Sequence, residues 1–294
     1  MYARYIVTHK QLPASARHTR LGSTQGDTSQ RKRYHYKYYM KRLIVANWKM
    51  NLAPGAASLL MKRLDDKVKP HANVEVVICP PTLDLYPLSK EIDRKKFKLG
   101  AQNVHYLDEG PYTGETSPAM LSGLVDYVLV GHSERRAMGE TDALVGKKLA
   151  AVVRNNLTPI LCIGENLHDR QHNLAEKVVV DQLTAALANV TAQEVAGIVI
   201  AYEPVWSINH HDGKPAQHAT PDDIKFAYRA IRTTLEELYG EGGLENVRLL
   251  YGGSTDPDHC RAYLEMEYVD GLLTGTASLN YESFAKILKT AQEL

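Results

Sequence analysis

No apolar run in this 294-residue chain approaches the roughly 20 residues that a membrane-spanning helix needs. The sequence therefore predicts no membrane partner. Cysteine is scarce: Cys79, Cys162 and Cys260 are widely spaced and odd in number, and they form no disulfide framework or metal-ligand pattern. Each has apolar neighbours, which predicts buried thiols in a reducing compartment. Charge excess is missing too. A net charge of +1 supplies no strong field for nucleic acid or for a membrane surface.

Acidic residues are nearly missing from the first 39 positions, which hold eight Lys or Arg residues and one acid, Asp27. No apolar signal-peptide core accompanies them, which argues against secretion. Residues 1–39 read as a basic, disordered extension or leader ahead of a catalytic domain at 40–294. Three origins stay open: a disordered tail, a transit peptide to an organelle, and an upstream extension of a gene whose natural start is Met40. A nucleic-acid-binding arm is disfavoured, because no basic motif continues into the domain.

From residue 43 a rhythm begins. Eight short apolar runs recur: LIVANW (43–48), VEVVIC (74–79), FKLGAQN (97–103), YVLVG (127–131), TPILCIG (158–164), GIVIAYE (197–203), VRLLYGG (247–253) and DGLLTG (270–275). They are continuous rather than alternating, as in parallel strands covered on both faces. Between them lie stretches of helical spacing. In 54–68, Leu59, Leu60, Leu64 and Val68 fall along one side, and in 140–156 so do Leu144, Leu149, Val152 and Val153. Segments 175–190, 220–240 and 281–294 are amphipathic as well, with Thr220 as N-cap and Pro221 in the first turn. Eight strand–helix units with right-handed crossovers predict a single-domain α/β fold, a closed (β/α)8 barrel. A doubly wound sheet would want a Gly-rich phosphate loop after its first strand, and ANWKMNLAPG is not one.

In such a barrel, chemistry sits at the C-terminal strand ends. Those ends carry Asn47 and Lys49, then His132, Glu203, Ser254 and the pair Gly275–Thr276. Singly, each has an ordinary explanation: a solvated lysine, a structural histidine, a glutamate paired with an arginine. Together, a carboxylate, an imidazole and an ammonium on one rim suit proton abstraction beside a carbonyl, with the cations stabilising the developing oxyanions. Gly-rich turns after strands 7 and 8 suit a phosphate group.

The motifs NWKMN, AQNVH, GPYTGETS, VGHSERR, ILCIGEN, AYEPVW, YGGS and GTASL occur in this order from about residue 41 to the C-terminus. The sequence resembles the triosephosphate isomerase family, whose fold is the TIM barrel. That resemblance implies interconversion of dihydroxyacetone phosphate and D-glyceraldehyde 3-phosphate through an enediolate, in glycolysis and gluconeogenesis. It implies Glu203 as the base, His132 as a neutral electrophile at a helix N-terminus, Lys49 as the source of positive potential and Asn47 beside it. It makes Glu134 a buried carboxylate near the lysine and histidine. It makes 110–116 a loop that enters the neighbouring subunit of a homodimer, with Thr113 at the contact. It calls for no cofactor and no metal, and it points to the cytoplasm unless residues 1–39 address an organelle.

Two departures touch the phosphate end. The family's lid reads approximately AIGTGK; here the segment SINHHDGKPAQHATP is about five residues longer, an insertion that costs little closure entropy. Asn209 stands where a glycine N–H grips phosphate, and asparagine tolerates positive φ better than most residues. At strand 8 the paired glycines become Gly275 and Thr276, whose β-branch stiffens the loop. These changes keep a related reading open, an isomerase for a tetrulose 4-phosphate. A non-catalytic barrel is disfavoured by intact Asn47, Lys49, His132 and Glu203. The histidines His210, His211 and His218 show no metal-ligand spacing.

Overall fold

Eight parallel strands close on themselves in chain order: β1 (Arg42–Asn47), β2 (Val74–Cys79), β3 (Lys98–Ala101), β4 (Tyr127–Val130), β5 (Thr158–Ile163), β6 (Val199–Tyr202), β7 (Arg248–Tyr251) and β8 (Gly271–Thr274). This is seen in a computed structural model that describes residues 40–208, 218–240 and 246–294. The readings made for residues 1–39 lie outside the described residues. Closure comes from β1, whose Val45 pairs with Val77 of β2 on one side and Leu273 of β8 on the other.

Side chains alternate along each strand. One set, including Val45, Val77, Leu129, Ile160, Val199 and Leu250, forms an inner cluster with Cys79 and Cys162. The other set, including Ile44, Ile78, Val128, Leu161, Ile200 and Leu249, packs beneath the helices in the larger core. Both faces are therefore apolar, which is why the strands read as unbroken hydrophobic runs. All three cysteines are buried free thiols.

Helices follow the strands, and several of them carry side-chain caps. Pro54 opens helix Pro54–Lys67. Thr141 caps Asp142–Arg154 by accepting the Leu144 N–H. Thr220 and Asp223 form a capping box ahead of Pro221–Tyr239, satisfying N–H groups that the first turn leaves unpaired. Two details differ from the helical reading of the sequence. Leu59 is 50% exposed, and Ala57 and Met61 line the buried face with Leu60 and Leu64. Val145 replaces the half-buried Leu144 in the core. Helix Thr82–Glu91 carries Pro87 in its interior, a residue that reads as a helix breaker.

At the end of the barrel opposite the catalytic rim, a charged network replaces the apolar plug. Glu75 of β2 accepts from Arg248 of β7 at 2.7 Å and from Tyr127 of β4 at 2.9 Å, and pairs with Lys98 of β3 at 2.6 Å. Burial works to raise the Glu75 pKa, but Lys98 and Arg248 outweigh it and hold the carboxyl at about 2, against an ordinary 4.5. A depressed carboxyl stabilises the fold above its unfolded pKa and loses that contribution as pH falls toward its folded one. Glu75→Gln is therefore expected to cost about 2 kcal/mol at neutral pH, less than the 3–5 of a fully sealed pair because some solvent reaches it. In urea unfolding, the gap between wild type and variant should hold near neutrality and narrow as pH falls from 4.5 toward 2. A gap independent of pH would contradict this assignment.

Candidate active site

The strand ends deliver their polar residues to one cleft of about 510 Å³, open to solvent. Asn47, Lys49, His132, Glu203, Ser254, Gly275 and Thr276 all line it. Asn209 lies outside the described residues. Thr113 is exposed on the loop after β3 and does not line this cleft.

Lys49 arrives just past β1 with a left-handed backbone, φ 53°. Such a conformation strains a residue with a side chain. Three hydrogen bonds bracket the turn: the Lys49 N–H donates to Asn47 at 3.0 Å, and the Gln102 amide donates to the carbonyls of Lys49 and Cys79 at 2.9 Å each. The Lys49 ammonium pairs with Glu134 at 2.7 Å. Glu134 is not the buried carboxylate that the resemblance implies. Its side chain is 39% exposed, because it stands on the first turn of a helix at the pocket rim.

Gly131, just past β4, has φ 73°, with Arg136 and Val145 where a Cβ would push, so the chain turns sharply into His132. His132 then caps helix Ser133–Ala137. The Glu134 N–H donates to its Nδ1 at 3.2 Å, which places the ring proton on Nε2. That Nε2 lies 3.2 Å from Oε1 of Glu203.

Glu203 is 1% exposed and follows directly on β6. Its Oε2 accepts the Ser133 N–H at 3.0 Å. Its Oε1 accepts no well-directed hydrogen bond among the described residues, with the His132 imidazole 3.2 Å away and the Cys162 thiol beside the carboxylate. A buried carboxylate oxygen left in that state is costly, which marks a group kept for chemistry rather than for stability. Gly164 allows the approach: a Cβ there would sit 1.8 Å from the Glu203 carbonyl oxygen. Beneath the carboxylate, burial and then the Glu203 charge push the Cys162 thiol well above its usual pKa, so it stays neutral and is no nucleophile.

Sequence reading overlooked what holds the segment after Glu203. Glu165, at the end of β5 in ILCIGEN, is fully buried. It accepts from Trp206 Nε1 at 2.7 Å, from the Tyr202 hydroxyl at 3.1 Å and from Arg170 at 3.3 Å. Arg170 also covers the Trp206 ring and bonds Asp223 of the next helix cap. The available signal was positional, a second carboxylate at a strand end.

A sequence profile of the family described as triosephosphate isomerase matches residues 42–291, most of the chain. The chain belongs to the triosephosphate isomerase family. Triosephosphate isomerase of Carboxydothermus hydrogenoformans is 42% identical over 251 residues, covering 85% of this chain and 98% of the relative. That of Caldanaerobacter subterraneus is 43% identical over 252 residues, covering 85% and 99%. That of Lactobacillus helveticus is 41% identical over 248 residues, covering 84% and 96%. This is an isomerase family, and the closed barrel is the triosephosphate isomerase fold.

Within this triosephosphate isomerase framework, Trp206 ties the chain after Glu203 to Glu165. Trp206→Phe keeps the ring and removes the N–H. A hydrogen bond to a charged group is worth about 1.5 kcal/mol, so the thermal midpoint is expected to fall by about 3–6 °C, and kcat to fall with it because the chain after Glu203 is held less firmly. Unchanged kcat would separate this contact from catalysis.

Proposed function

We propose that the chain interconverts dihydroxyacetone phosphate and D-glyceraldehyde 3-phosphate by proton transfer through an enediolate. The observation that carries this reading is the pairing of a buried, under-satisfied Glu203 carboxylate with a His132 Nε2–H across one small cleft. Glu203 removes a proton from the carbon beside the carbonyl. His132 donates from Nε2 to the carbonyl oxygen, and the Lys49 charge stabilises the enediolate that forms. Returning the proton to the neighbouring carbon completes the exchange of aldose for ketose, with no net gain or loss of atoms. Asn47 supports Lys49 through the turn hydrogen bond. Ser254, Gly275 and Thr276 lie where a phosphate would be held, and Gly275 packs close to the Lys49 side chain. No step requires a cofactor.

We also propose a homodimer formed through the 110–116 loop. That loop is self-supported: the His105 ring packs on Tyr106 and Tyr112, and the His105 N–H donates to the Thr116 carbonyl at 2.8 Å. Met50, Leu83, Tyr86 and Tyr112, on successive segments after β1, β2 and β3, are all exposed, as a protein interface would require. No described helix is long and apolar enough to cross a membrane, and a cytoplasmic enzyme is the reading we favour.

The deciding measurement is kcat/KM on glyceraldehyde 3-phosphate beside the tetrulose 4-phosphates. A triose value in the range of about 10⁷–10⁸ M⁻¹s⁻¹, well above any tetrulose value, is expected. A weak triose rate beside a strong tetrulose rate would overturn the substrate assignment. Glu203→Asp, which withdraws the carboxylate by one methylene, should lower kcat by about a hundredfold. Unchanged turnover would remove Glu203 as the base.

A further inference from the structure

His218 shows no ligand spacing with its neighbours in sequence. Its partners come from the loop after β7, just beyond Ser254. The His218 and His259 rings stack with centroids 4.3 Å apart, and Asp256 stands against both. Each of the three residues offers one ligand atom, and these atoms lie within 4.8 Å of one another. None of the three lines the catalytic cleft. We infer that His218, Asp256 and His259 form a binding site for a divalent transition-metal ion.

The orientation of each group supports this. Oδ1 of Asp256 is occupied by the turn, accepting the Asp258 and His259 N–H groups at 2.9 Å each. That fixes the carboxylate, with both oxygens 2.8 Å from His259 Nδ1 and Oδ2 on the side of His218. Oδ2 is 2.8 Å from His259 Nδ1 and 3.8 Å from His218 Nε2. Ligand atoms bound to one ion at 2.0–2.1 Å in a tetrahedral array stand about 3.3 Å apart, so seating the ion requires the Asp256–His259 contact to open slightly and His218 to close on both partners. Tyr263 lies 3.5 Å from Nδ1 of His218, an outer partner that leaves Nε2 free to ligate.

Two imidazoles and one carboxylate select zinc, cobalt, nickel or copper over magnesium and calcium, which prefer all-oxygen sites. Water would complete the coordination. A bound ion would clip His218, two residues ahead of the Thr220 cap, to the loop that carries Ser254.

The test is metal uptake by the tag-free full chain after chelator treatment. Cobalt is followed by its visible absorption and zinc by calorimetry. One equivalent per chain is expected, and His218→Asn and His259→Asn should each weaken binding by more than about tenfold. Both side chains are partly exposed, so the variants are expected to fold, which circular dichroism would check. Two double variants serve as controls and should bind like wild type: His210→Asn with His211→Asn, and His168→Asn with His172→Asn, whose rings also stack. No uptake by wild type, uptake indifferent to His218 and His259, or uptake abolished by either control would overturn the proposal.

Discussion

The hydrogen-bonded closure of β8 onto β1 is the constraint on which the rest depends. Val45 sits between Val77 and Leu273, so the first and last strands of the chain become neighbours. Their ends then share one rim, and Gly275 comes against the Lys49 side chain. A cation from the start of the domain and a phosphate-compatible turn from its end meet only because the ladder closes. Eight strands set a barrel just wide enough for side chains to fill. Alternate side chains fill the inside as bulky aliphatics, which leaves a packed core with the cleft above it rather than a pore.

The rim concentrates strain and unsatisfied polarity where the remainder of the fold is orderly. Lys49 is held in a left-handed conformation by amides from Gln102 and by Asn47. Glu203 is nearly sealed, with one oxygen lacking a well-directed donor among the described residues. Such features cost stability and persist because the surrounding barrel over-determines them. The opposite end shows the contrasting use of charge, with Glu75 fully matched by Arg248, Tyr127 and Lys98. One end keeps a carboxylate poised; the other spends its charges on holding four strands together.

Much of this was legible beforehand. Strands covered on both faces leave unbroken apolar runs, so all eight were visible, with ends off by a residue or two where pairing stops before hydrophobicity does. Rim residues could be named because strand ends follow from the runs. Helix faces were less secure: Leu59 and Ala57 both fit a helical stripe within one turn, and only packing against the neighbouring helix and sheet decided that Ala57 goes inward. Helix Thr82–Glu91 was hidden by Pro87, a local signal that tertiary packing overrides.

Local patterning by itself determined the strand count, the barrel and the residues at its rim, since these depend on periods of two and 3.6 and on turn chemistry within a few residues. Only the tertiary structure decided what those residues touch. The Ser133 N–H reaching Glu203, the buried Glu165 gathering Trp206, Tyr202 and Arg170, and the meeting of His218 with Asp256 and His259 all join segments far apart in the chain. Such contacts are set by the closed ladder and the packing of loops above it, and no spacing along the sequence encodes them.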